Sequence, residues 1–153
     1  MLNKLLLLIF TLFFFISTAY ADDMTSPVGQ WITISYKTGE RISIVKIWEQ
    51  NGMLYGKVMK IFPGPNRGFS DRCEQCEGDL KGKPIIGMTV LWDFTQGDNG
   101  RWVNGHALDP HTGEVYRGSM VLLDNGKQLE LTGYWGIFWH SQTWIRDVNN
   151  GKT

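Results

Sequence analysis

Tyr134-Trp135-Gly136-Ile137-Phe138-Trp139-His140-Ser141-Gln142-Thr143-Trp144-Ile145-Arg146 places three tryptophans, a tyrosine and a phenylalanine within thirteen residues and ends on an arginine. Aromatic and β-branched residues favour a pleated, half-buried surface. The stretch is therefore expected to be the last part of a β-meander, folding back onto a first strand around Gly29-Gln30-Trp31. If the two ends meet, the chain is a closed barrel and everything between them is its wall.

Working outward, turn signals recur about every ten residues, the spacing of all-β sandwiches and barrels. Strands are expected at Trp31 to Tyr36, Arg41 to Glu49, Met53 to Phe62, Ile85 to Phe94, Arg101 to Leu108, Glu114 to Leu123, Gln128 to Trp135 and His140 to Asp147. Asn51-Gly52 is a strong hairpin signal because both residues tolerate positive φ. Asp98-Asn99-Gly100 and Asp124-Asn125-Gly126 repeat the theme. Ile86, Met88, Val90, Trp92 and Phe94 alternate onto one face, with Ile85 and Leu91 as exceptions. Gly56, Gly87, Gly105, Gly118 and Gly133 lie inside strands, as sharply coiled strands require. Closure also removes edge strands that an aromatic sheet would otherwise expose. The expectation is an all-β, eight-stranded antiparallel up-and-down barrel, with an open sandwich as the alternative.

The chain has 153 residues. Lys4, the apolar run Leu5 to Ile16 (interrupted by Thr11) and Ala19-Tyr20-Ala21 form the pattern of a secretory signal peptide, residues 1–21. Cleavage near Ala21 leaves one domain, 22–153, with a periplasmic or secreted destination. The apolar run is short for a bilayer span, and the mature part has no transmembrane segment. Of 15 basic residues only Lys4 lies in the leader, so 14 face 15 acidic ones in the mature chain, a net of −1. Such a balance argues against nucleic acid as a partner, which needs a concentrated basic face.

Pro63 to Lys83 interrupts the meander as a long loop, and loops of this length in compact domains are often functional. It holds Cys73-Glu74-Gln75-Cys76. Two cysteines in an exported domain should pair, and the short ring yields about 2 kcal/mol before strain. A metal half-site and a redox centre are the alternatives. Asp71, Glu74, Glu77 and Asp79 disfavour a thiolate, and zinc would need two further ligands where the loop has no histidine. No metal and no cofactor are expected.

Gly29-x-Trp31 together with Arg146 suggests a barrel floor. Glycine lets the chain turn, the indole plugs the end, and a guanidinium across its face adds about 0.5–2 kcal/mol. Trp144 is assigned to the same closure. This arrangement resembles the lipocalin and fatty-acid-binding-protein superfamily, in the calycin manner. The wider set is more specific: Ser43 to Glu49, Asn51 to Val58, Cys73-x-x-Cys76, Pro84 to Met88, Asp109-Pro110 with Gly113 and Tyr116, and Gln142-Thr143-Trp144-x-Arg146. Together these resemble the bacterial exported family of domain of unknown function 2147, DUF2147. The resemblance implies a lipocalin-like fold and no assigned activity, so no catalytic residues carry over.

His106, Asp109 and His111 invite a metal or acid–base role, but Asp109-Pro110-x-x-Gly113 is turn chemistry, with His111 at an exposed tip. Asp93 and Glu130 make no recognisable carboxylate pair, and Ser119 and Ser141 lack a nucleophile context. No catalytic residues are assigned, and an enzyme is the third reading, after ligand binding and protein interaction. Met88, Val90, Trp92, Leu129, Leu131 and Trp135 are expected to point inward as a ligand wall, since eight-stranded barrels either fill or hold one small ligand. The expected function is binding of a small apolar or amphipathic molecule. The alternative is an envelope protein-interaction module that uses the 63–83 loop and has no ligand cavity.

Overall fold

The computed structural model describes residues 23–64 and 70–149. The expected signal peptide lies outside these residues. Eight strands follow one another: β1 (Gly29–Ile34), β2 (Arg41–Gln50), β3 (Met53–Ile61), β4 (Thr89–Gln96), β5 (Arg101–Leu108), β6 (Val115–Leu123), β7 (Gln128–Trp135) and β8 (Phe138–Arg146). Each pairs antiparallel with the next, and β8 pairs with β1, so the sheet is a closed barrel in chain order. The turn chemistry explains the register. At the β2–β3 turn, Asn51 (φ 54°) and Gly52 (φ 76°) both take the left-handed conformation, which matches the twist of the flanking strands.

Several strand boundaries differ from the sequence expectation, and local structure accounts for three of them. β8 begins at Phe138, because Gly136 (φ 58°) permits a two-residue turn and Trp135 pairs directly with Phe138. β1 ends at Ile34, where the Ser35 amide turns to the Glu40 carbonyl at 2.8 Å. β4 begins at Thr89 rather than Ile85. Ile85 and Met88 close a turn on each other at 3.0 Å, and Val58 donates to the Met88 carbonyl at 3.0 Å.

The period-two pattern of β4 also breaks. Gly56 pairs with Leu91 while Leu54 pairs with Phe94, so the partner strand is one residue shorter here. Asp93 absorbs the extra residue at φ 60°. A bulge of this kind re-aims the side chains on either side of it. Leu91 and Phe94 are consequently buried while Trp92 leaves the inner face and stacks on His106, with ring centroids 5.5 Å apart. Phe94 is fully buried against the glycine pair Gly105 and Gly118; a Cβ on Gly105 would lie 2.2 Å from its ring. These glycines make room for a ring as well as for strand coiling.

The β1–β8 seam is short, running through Trp31↔Arg146 and Ile32↔Ile145. Arg146 reinforces it. Its Nε donates to the Gly126 carbonyl at 2.6 Å, Nη1 to Val28 at 3.0 Å and Nη2 to Ser26 at 2.8 Å. The guanidinium lies 4.3 Å from the Trp31 ring centroid, and the indole donates to the Pro27 carbonyl at 2.8 Å. Gly29 (φ 142°) has no room for a Cβ, which would sit 2.8 Å from the guanidinium. Gly29, Trp31 and Arg146 thus stand together at the closed end, where Ile47, Leu54, Phe94, Trp102, Met120 and Leu129 fill the barrel solidly.

Candidate functional site: a cavity at the open end

The other end is hollow. A cavity of about 640 Å³ opens among the β1–β2, β5–β6 and β7–β8 connections and the long segment between β3 and β4. Its depth is apolar, formed by Val45, Val58, Val90, Leu91, Leu131 and Trp144. Within this wall Thr33 and Ser43 satisfy one another through a 2.8 Å hydroxyl contact, so their burial leaves no polar atom exposed to an apolar ligand. Nearer the mouth the lining turns polar, with Tyr36, Asp109, His111, Tyr116, His140 and Gln142.

These mouth residues are held by local structure. The Asp109 carboxylate accepts the His111 amide at 2.9 Å, and the Gly113 amide donates to the Asp109 carbonyl at 2.8 Å. The turn chemistry is as expected, but His111 is half-buried and lines the cavity instead of standing at an exposed tip. Tyr116 donates its phenol proton to the Glu114 carboxylate. That hydrogen bond, with desolvation behind it, raises the phenol above its ordinary value of 10.0, so Tyr116 offers the mouth a neutral hydroxyl.

The described part of the segment between β3 and β4 packs beside the β5–β6 turn at the entrance. Cys73 and Cys76 are joined in a disulfide and both are buried. Around them the Cys73 amide donates to the Lys83 carbonyl and the Gly82 amide to the Cys73 carbonyl, each at 2.9 Å. The loop seats against the β5–β6 turn so closely that a Cβ on Gly113 would come within 2.1 Å of the Gln75 carbonyl oxygen. Ile85, at the end of this segment, reaches into the cavity wall. Among the described residues no three His, Cys, Asp or Glu side chains gather as a metal site.

Of the six residues expected as a ligand wall, Val90, Leu131 and Trp135 line the cavity. Three do not. Met88 is buried outside the lining because its backbone is committed to the turn on Ile85 and to Val58. Trp92 is turned outward by the Asp93 bulge. Leu129 is fully buried, but as the second residue of β7 it belongs to the solid end. Trp135 stands at the rim and is 72 % exposed, since its strand has already reached the turn. Trp144, assigned to closure, lines the cavity instead. The missed wall residues were within reach of the pattern: counting back from Trp144 by twos gives Gln142, His140 and Phe138, all of which line the cavity.

A closed eight-stranded antiparallel up-and-down barrel, sealed at one end by an arginine-capped tryptophan and hollow at the other, defines a lipocalin-like protein. The solved structure of Protein HP1028 from the human pathogen Helicobacter pylori, described as belonging to the lipocalin family, is similar to it. That similarity has a TM-score of 0.67 at 20% identity, covering 81% of this chain and 84% of that one. The profile of the family described as "Uncharacterized protein conserved in bacteria (DUF2147)" matches residues 29–146, and the chain belongs to that family. A search of curated proteins gives no match.

Proposed function

We propose that this protein is an exported carrier or sensor that binds one small amphipathic molecule in the open half of its barrel. The observation that carries this is the cavity of about 640 Å³, apolar in its depth and polar at its mouth. Its volume falls in the range of small-molecule sites, which are concave, mostly apolar and fitted with a few placed polar groups. An acyl chain or ring system would occupy the space between Val45, Leu131 and Trp144. A hydroxyl, amide or carboxyl head would meet Tyr116, His140 and Gln142. The leader pattern in residues 1–21 supports an exported location.

The test is displacement of an environment-sensitive probe such as anilinonaphthalene sulfonate by fatty acids and alcohols of graded length. Ala107 lines the cavity and is small, so Ala107→Trp places an indole where the ligand would lie. Wild type is expected to bind the probe saturably and to release it to an amphipathic competitor, and A107W to bind at least tenfold more weakly with its thermal transition retained. Equal binding by both, or none by wild type, refutes the proposal.

A further inference from the structure

The β7–β8 tip has chemistry that ligand enclosure does not require. From Leu131 to Ile145 the hairpin carries no Asp, Glu, Lys or Arg. Its turn presents Trp135, Ile137, Phe138 and Trp139 to solvent, with Ile137 84 % exposed. Trp135 and Phe138 meet obliquely, their centroids 6.3 Å apart. Contiguous large apolar side chains are seldom left in water without a function, because each forfeits the gain of burial.

The charges around the tip are unevenly placed. On the seam side, Tyr36 of the β1–β2 connection meets His140 of β8 at 5.3 Å, which brings that connection beside the tip. Lys37 lies 5.5 Å from the Tyr36 ring centroid, and the Arg41 guanidinium 4.1 Å from that of Phe62. Glu40 in the same connection accepts from Thr38 at 3.1 Å and keeps its charge, so Lys37, Glu40 and Arg41 together carry a net of +1. Across the mouth, the disulfide loop carries Asp71, Glu74, Glu77 and Asp79 together with Arg72, Lys81 and Lys83, while the β5–β6 turn, on the other flank of the tip, carries Asp109 and Glu114. The tip is thus apolar and aromatic, with Lys37 and Arg41 on its seam flank and the carboxylates of the β5–β6 turn on the other. Tryptophan and phenylalanine beside lysine and arginine are the side chains that settle at the bilayer interface, the rings among headgroups and upper acyl chains, the cations on anionic lipid.

We propose that the β7–β8 hairpin tip docks on the surface of an anionic phospholipid bilayer. Trp135, Phe138 and Trp139 both form the tip and line the cavity. Docking therefore sets the cavity mouth at the level of the acyl chains, and an amphipathic ligand passes between bilayer and barrel without crossing bulk water. This inference rests on the ligand-binding proposal and names the surface the ligand comes from.

The experiment is flotation of the purified chain beginning at Asp22, which contains every strand of the barrel, with vesicles of phosphatidylcholine with and without phosphatidylglycerol. Tryptophan emission is read in parallel. Wild type is expected to float with anionic vesicles and to shift its emission to the blue. Ile137→Asp sets a carboxylate on the exposed turn and should weaken partitioning about tenfold or more. Lys37→Glu should weaken binding to anionic vesicles by about fivefold or more, with little change on neutral ones. Trp139→Ser serves as a second tip variant should I137D fail to fold. Wild type that ignores both vesicles, or tip variants that bind as well as wild type, overturn the proposal. So does a wild-type dimer that I137D dissolves while vesicles bind neither, since the tip then covers a second copy of the chain. Failure of the two proposals is separable: probe binding in solution without vesicle binding sinks docking alone, and vesicle binding without probe displacement sinks the ligand.

Discussion

Replacing Arg146 by methionine tests the account of barrel closure. Arg146 is 4 % exposed, and its guanidinium donates to three backbone carbonyls, on the N-terminal lead-in at Ser26 and Val28 and on the β6–β7 turn at Gly126. Hydrogen bonds to a charged group are worth about 1.5–3 kcal/mol each, and the stacking on Trp31 about 0.5–2 kcal/mol. Against this stands the desolvation of a buried cation, several kcal/mol. Methionine keeps the apolar contact with the indole but leaves the carbonyls to find water at a tightly packed end. The net loss is expected at about 3–4 kcal/mol, a large share of the ~5–15 kcal/mol that folded domains possess. Arg146→Lys should recover only about a third of this, because an ammonium does not span three carbonyls in the plane of a fork. The assay is urea unfolding followed by tryptophan emission and far-UV circular dichroism, with midpoint and slope compared across the three proteins. A loss below about 1 kcal/mol for R146M, or lysine equal to arginine, would show that the seam holds without this side chain.

Gly105→Ala should destabilise by about 1–3 kcal/mol because its Cβ would overlap the Phe94 ring at 2.2 Å; combining it with Phe94→Leu should restore part of the loss in the same urea assay. Reduction of Cys73–Cys76, or replacement of both by serine, should lower the thermal midpoint by about 5–8 °C, as a short ring contributes about 2 kcal/mol, while strand circular dichroism is retained. Tyr116 is held neutral by its hydrogen bond to Glu114, so absorbance at the tyrosinate band should show its phenol, like that of Tyr55, titrating above the usual 10.0. A phenol raised in the folded state adds stability below its unfolded value and loses it as pH rises through the folded one; Glu114→Gln should bring that titration down and shrink the loss of stability above about pH 10.

The strand count, the turns and the pairing of the two chain ends were legible in sequence because each rests on local chemistry. Asn51-Gly52 adopts positive φ wherever it sits in a hairpin, and Gly29, Trp31 and Arg146 reproduce a spacing that only a closing barrel brings together. The Cys73–Cys76 pair was equally local, three residues apart. The cavity lining was half legible. Alternation puts Val90 and Leu131 on the inner face, where they line the cavity, but the β4 register slips twice: around the left-handed Asp93, Trp92 leaves the lining, and at the second shift Leu91 joins Val90 in it.

What no pattern of single residues could decide is how the interior volume divides. Leu129 and Leu131 lie on the same face of the same strand, yet the first is sealed in a solid floor and the second lines an open cavity. The difference comes from across the barrel. Phe94, Trp102 and Met120, drawn from three other strands, fill the closed end around Leu129. At the open end Val45, Val58, Val90 and Leu131 face the interior instead, and these smaller side chains leave it hollow. Inward direction is a property of one strand and is written in its alternation; emptiness is a property of all eight at once, set by which side chains converge at a given height.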